Sequence, residues 1–290
     1  VNRPPNGASD GTAVWNAGSR RLGYAIRRRI AALDPVEDNE EAARLTFEVL
    51  YGDPIAIHAS YLIGFSRQVA VPGIARVIYR GGGGENLRDV ARRTDDSLTL
   101  FGAFFRWGHS SPQGRAAIAR MEQIHKRFAI TDEQKLYTLA TLIFEGERIG
   151  RQLGFNPFTA NQREASWRFW HGVAEQMPLG GLPPTAEELW RWMLEYEREH
   201  WRYTDDGRHV VDKFFEDWTT RWFPRPARGL GRQTLLALMD EDLRAVLHLE
   251  DPSRHVQWLL RASARAYLPL TMIRPLPTDR SWMDHFARRF

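Results

Sequence analysis

In the segment "RMEQIHKRF", residues 120–128, a carboxylate and an imidazole stand three residues apart, Glu122 before His125, inside a long run of helical pattern. Glu-x-x-His pairs from two helices, with one further glutamate from each of two others, are the recipe for a carboxylate-bridged di-iron bundle. A second pair is present, Glu197 with His200 in "YEREH", and Glu145, Glu147 and Glu164 could supply the remainder. The same spacing arises by chance in glutamate-rich helices, and "EYEREHWRY" reads as a largely solvated stretch. His125 also has a reading of its own. Ile118, Met121, His125 and Phe128 fall on one stripe of the helix while Arg120, Gln123 and Arg127 fall elsewhere, so the imidazole points inward. An inward histidine is most often a core residue bonded to a carbonyl, and otherwise a metal ligand.

Composition narrows the chemistry. The chain has no cysteine, which excludes a disulfide framework, a thiolate nucleophile, an iron–sulfur cluster, thiolate-ligated haem and covalent c-type haem attachment. Metal chemistry must rest on His, Asp, Glu or Tyr. The formal charge of +4 is spread along the 290 residues, and the one dense basic cluster, Arg27 to Arg29, lies beside acidic Glu37 to Glu41, so nucleic acid is not indicated. No apolar run approaches the roughly 20 residues that cross a bilayer, and "VNRPPNGASDG" lacks the plan of a signal peptide. The expectation is a soluble, cytoplasmic protein.

The elements that must position these residues are helices. Ser111 and Pro112 read as N-cap and first residue of a helix running to about Ala129. Thr131 with Gln134 forms a capping box opening a helix that stops at Gly154, and Thr185 with Glu188 forms another. "REASWRFWHGVAEQM" is expected to begin at Thr159, and Leu87 to Gly108 reads as one helix after the break "GGGG". Later apolar spacings near roughly 3.6 complete an all-α chain of roughly ten helices. Residues 1–18 read as a flexible arm, 19–270 as one helical domain and 271–290 as a tail. On the 87–108 helix, Thr94, Leu98, Phe101 and Phe105 make one face, with Arg93 beside it.

The blocks "DVARRTDDSLTLFGAFFRWGHSSPQGRAAIARMEQIHKRFAITDEQKLYTLATLIFEGERI", "REASWRFWHGVAEQM" and "PPTAEELWRWMLEYE" resemble the MpaB and rubber oxygenase (latex clearing protein) family over about Leu45 to His248, most specifically from Arg92 to Leu142. The resemblance implies a globin-like core holding haem b, with His125 as proximal iron ligand and Arg93 and Thr94 at the distal positions where rubber oxygenases carry Lys-Thr. Arginine does not deprotonate to bind iron, so a distal lysine–iron bond is not expected. The family's catalytic glutamate would lie some twenty residues earlier, where this chain reads "AVPGIARV" without a carboxylate. That puts polyisoprene cleavage in doubt.

The function expected is therefore a haem b-dependent oxygenase. Dioxygen would bind beneath Arg93 and Thr94, with Phe101, Phe105 and Met121 as haem wall and Tyr137 reaching a propionate or the histidine's second nitrogen. An apolar alkene or isoprenoid-like molecule is the expected substrate, and an electron donor the further partner. Two rivals stand beside it: a di-iron carboxylate oxygenase built on the two Glu-x-x-His pairs, and a haem or apolar-ligand binding protein without turnover.

Overall fold

The computed structural model describes residues 18–287, and their secondary structure follows the punctuation of the sequence. Strand β1 (Arg20–Leu22) leads into α1 (Gly23–Ala32) and α2 (Asn39–Arg44), and a π-helical turn at Leu45–Leu50 precedes α3 (Pro54–Val69) and α4 (Pro72–Tyr79). Then come α5 (Glu85–Arg88), α6 (Val90–Trp107), α7 (Pro112–His125), α8 (Asp132–Leu153) and α9 (Ala160–Ala174). The chain continues through α10 (Ala186–His200), α11 (Asp205–Trp222), α12 (Arg228–Leu238), α13 (Glu241–Val246) and α14 (Arg254–Ile273) to β2 (Pro275–Pro277) and α15 (Met283–Phe286). The fold is all-α, apart from the two short strands, which pair antiparallel with Arg20 opposite Pro277. Of the expected N-terminal arm, residues 1–17 lie outside the described residues.

Side-chain caps set the helices around the site. The Ser111 hydroxyl accepts from the Gly114 amide at 2.9 Å. Thr131 and Gln134 cap each other's backbone reciprocally, as do Thr159 and Gln162, and Gly154 closes α8 in the left-handed region at φ +83°. Three boundaries differ from the periodicity. α7 ends at His125, because Thr131 must be extended to cap α8 and the chain has to turn before it; Arg127 and Phe128 donate back to the carbonyls of Ile124 and His125. The expected 87–108 helix breaks at Asp89, whose carboxylate caps Arg92 N at 3.0 Å. The apolar spacing of "QTLLALMDEDLRAVLHL" predicts one continuous helix, and the chain breaks at Asp240, which caps Leu243 N at 3.0 Å. In both cases an aspartate offers the backbone a competing N-cap that apolar spacing does not register.

The core carries two buried ionic networks among its apolar side chains. Arg67 of α3 is fully buried and held by Glu145 of α8 at 2.6 Å and by Asp240 at 2.7 Å. His58 of α3 accepts from Trp222 Nε1 at 2.7 Å and faces Asp217 at 3.1 Å, and Asp217 pairs with Arg221, which also reaches Asp95. The described part of the segment expected as a tail, 271–287, is integral to the fold. Trp282 Nε1 donates to the Leu98 carbonyl at 3.0 Å and Phe286 is fully buried. Gly102 makes this approach feasible, since a Cβ there would stand 2.8 Å from Met283 Cβ.

Candidate active site

Helices α6 and α7 pack against each other through the tight turn between Trp107 and Pro112. Along their shared side runs a cavity of about 980 Å³ that also reaches α3, α4, α8 and α9. Its walls are largely apolar, with Phe65, Ile74, Ile78, Leu100, Phe101 and Phe104 prominent among them. That volume lies at the upper end of the roughly 300–1,000 Å³ typical of small-molecule and cofactor sites. Exposed Arg80, Arg120 and Arg127 line it with half-buried Lys135, while Glu85 and Asp96 are the lining carboxylates, so the outer part of the cavity is cationic.

His125 lines this cavity from the last turn of α7. Its Nδ1 is buried with no hydrogen-bond partner, whereas Nε2 is not so enclosed. Burial pushes the imidazole's pKa below its ordinary value, Glu122 opposes this, and the charges of Lys135 and Arg93 push the same way as burial. A neutral imidazole with one unblocked nitrogen is the form in which histidine can ligate a metal. The carbonyl partner of an ordinary core histidine is absent.

Arg93 lines the same cavity, and its Nη1 donates to Ser97 Oγ at 2.7 Å. Ser97, one turn further along α6, shares that wall, and so does Tyr61 of α3. Burial raises the Tyr61 phenol's pKa and the nearby Arg93 charge draws it back. Spacing could have found Ser97 as the i+4 neighbour of Arg93. Nothing in the sequence pointed to Tyr61, which joins the site because its ring meets Phe101 of α6 at 6.4 Å between centroids.

Of the residues expected at the site, His125, Arg93, Phe101 and Met121 line the cavity and Thr94, Phe105 and Tyr137 do not. The cause on α6 is a rotation of about one residue, some 100°. The cavity face runs through Arg93, Ser97, Leu100, Phe101 and Phe104, whereas Thr94, Leu98 and Phe105 turn into the core. Thr94 is fully buried with its hydroxyl unpartnered, and Phe105 stacks on Phe169 at 4.6 Å between ring centroids. Tyr137 is consumed by a buried polar network. Its hydroxyl donates to Glu197 at 3.1 Å, with the Arg67 carbonyl at 3.3 Å, and accepts from Trp201 Nε1 at 2.9 Å.

The di-iron constellation is not assembled. Glu197 is engaged by Arg148 at 2.5 and 2.8 Å, Glu145 by Arg67, and Glu164 by Arg168 at 2.7 Å. His200 faces the Tyr196 carbonyl at 3.1 Å. Among the described residues no group of three or more His, Asp or Glu is placed to hold a metal ion. The segment "AVPGIARV" presents Ile74 and Val77 to the cavity, so the site has no carboxylate from that stretch.

No helix among the described residues is long and apolar enough to cross a membrane. Comparison with curated proteins finds no match. The family model described as ER-bound oxygenase mpaB/B'/rubber oxygenase, catalytic domain, matches residues 50–268, a span that covers every helix bordering the cavity from α3 to α9 and stops short of Met283, which also lines it. With well over half of the chain matched, and with the histidine, the arginine and every helix from α3 to α9 inside the matched span, the protein belongs to the mpaB and rubber oxygenase catalytic-domain family.

Proposed function

We propose that the protein is a haem b-dependent oxygenase acting on an apolar, alkene- or isoprenoid-like substrate, with His125 as the proximal iron ligand. The observation that carries this reading is His125 lining a cavity of about 980 Å³ with its Nδ1 buried and without a partner. The residues fit haem b. Phe101, Phe104, Met121 and Leu139 offer flat and polarisable walls, and Arg80, Arg120, Arg127 and Lys135 offer charge for two propionates. Haem would supply the binding and activation of dioxygen, chemistry that no side chain here performs.

The chain's own residues would do the rest. Burial keeps His125 neutral, the form in which imidazole donates a lone pair. Arg93, its guanidinium held by Ser97, is a fixed donor that would stabilise developing negative charge, in the manner of a preorganised electrostatic site. Ser97 stands in the cavity where Thr94 was expected, and Tyr61 can deliver a proton from its phenolic oxygen. The apolar walls exclude water and select a hydrocarbon chain, because they offer few polar groups to orient anything else.

A spectrum of the purified protein tests the reading. A Soret band at one haem per chain, lost in His125→Ala, is the expected result. Two non-haem irons per chain and no Soret band overturns it. Oxygen uptake with an alkene substrate and a reductant separates an oxygenase from a haem carrier, which would show the band and no turnover.

A further inference from the structure

A glutamate on an amphipathic helix is most often a solvated surface carboxylate, and by residue type Glu122 would be read as one. It is instead buried, with 7% of its surface exposed, and neither of its oxygens has a hydrogen-bond partner. A buried carboxylate without partners costs several kcal/mol, and chains retain such groups where something else engages them. One turn along the same helix is a complementary deficit: the Nδ1 of His125, also buried and also without a partner. Residues three apart on a helix share a face, so the two deficits are neighbours. Glu122 is also the carboxylate whose charge acts on the His125 ring.

We propose that Glu122 is the hydrogen-bond acceptor for Nδ1–H of His125 and that it sets the donor strength of the nitrogen facing the cavity. This rests on the haem reading, and makes Glu122 a positioning residue rather than a catalytic one. Holding the proton on Nδ1 selects the tautomer whose lone pair lies on Nε2, and a carboxylate acceptor gives that lone pair part of the character of an imidazolate. Carboxylate support of a ligating histidine fixes the ring and raises its basicity. A more basic axial nitrogen stabilises ferric over ferrous iron, which makes hydrogen bonding at the ligand one of the protein's levers on haem potential. No bond is made or broken in this device, and the proton stays between the two groups.

The test uses the haem-loaded full chain in four forms, namely wild type, Glu122→Gln, Glu122→Leu and His125→Ala. The readouts are the reduction potential by spectroelectrochemistry and the iron–histidine stretching band of the ferrous form, neither of which depends on turnover. Both Glu122 variants should retain one haem per chain, shift the ferric–ferrous balance about tenfold toward ferrous, which is 59 mV for one electron, and lower the stretching frequency. Glu122→Leu guards against loss of folding, since it removes a buried unpartnered acid. An unchanged potential and band in both variants, with haem still lost in His125→Ala, overturns the role of Glu122 and leaves the haem reading standing. Full haem occupancy in His125→Ala overturns both.

Discussion

Replacing Glu48 by glutamine should leave the protein little changed at pH 5 and markedly more stable than wild type at pH 8. Glu48 lies in the π-helical turn with 1% of its surface exposed, and its carboxyl accepts from the Ser281 hydroxyl. Burial pushes its pKa from 4.5 to about 8, against the opposing pull of the Ser281 hydrogen bond and the charges of Arg44 and Arg106. The unfolded chain ionises this group near 4.5, so between that pH and about 8 the folded state holds a proton the unfolded state has released. The folded state is therefore favoured least at high pH. Its contribution is complete below 4.5, declines as pH rises and levels off above about 8. At about 1.36 kcal/mol per pH unit of displacement, the cost by pH 8 is on the order of 5 kcal/mol. Glutamine keeps the shape and a hydrogen-bonding group for Ser281 while removing the titration. Urea unfolding of both proteins at half-unit steps from pH 5 to 8.5 should give a free-energy difference that widens by a few kcal/mol. A difference that stays constant across that range refutes the reasoning. The consequence reaches the site, because Ser281 ties down the segment that brings Trp282 to α6 and Met283 to the cavity.

Arg67→Leu should destabilise the fold by about 3–5 kcal/mol, since it strands the buried carboxylate of Glu145; denaturant midpoints measure this, and a loss under 1 kcal/mol would contradict it. At acid pH the sign is opposite to that of Glu48. Burial lowers the pKa of His58 below 6.5, so the unfolded state takes up protons first, and stability is full above that value and falls as pH drops below it. A His58→Gln variant should lose that acid slope. His125 shares the lowered pKa, so haem should remain bound down to pH values below the ordinary histidine range, followed by the Soret band during titration. Arg93→Ala should retain stoichiometric haem and lower the oxygen-uptake rate at least tenfold, whereas Tyr61→Phe, which keeps the ring and removes the proton, should lower the rate while leaving the haem spectrum unchanged.

The helical class, the caps at Ser111, Thr131 and Thr159, and the inward pose of His125 were legible from residue types alone, because hydrophobic periodicity and capping are local interactions that need no tertiary partner. The block spacing around Arg93 and His125 likewise carried the family resemblance. What local rules misplaced is specific. Phe105 was assigned to the site from one apolar stripe of α6 and Thr94, on the same stripe, from the family resemblance, but the helix has two occupied faces, and neither signal says which of them meets a cavity. Tyr137 looked available because its partners, Glu197 and Trp201, lie more than fifty residues away in sequence. Glu122 is buried although its residue type is usually solvated, because burial is decided by what packs over it. Tyr61 and Met283 entered the site because α3 and the C-terminal segment bring them to the cavity wall. The sequence by itself therefore determined the helices, their ends and one inward imidazole, all set by interactions within a few residues. Only the tertiary structure decided which sides of those helices enclose a cavity, and which buried polar groups were left without a partner, because both depend on contacts between distant parts of the chain.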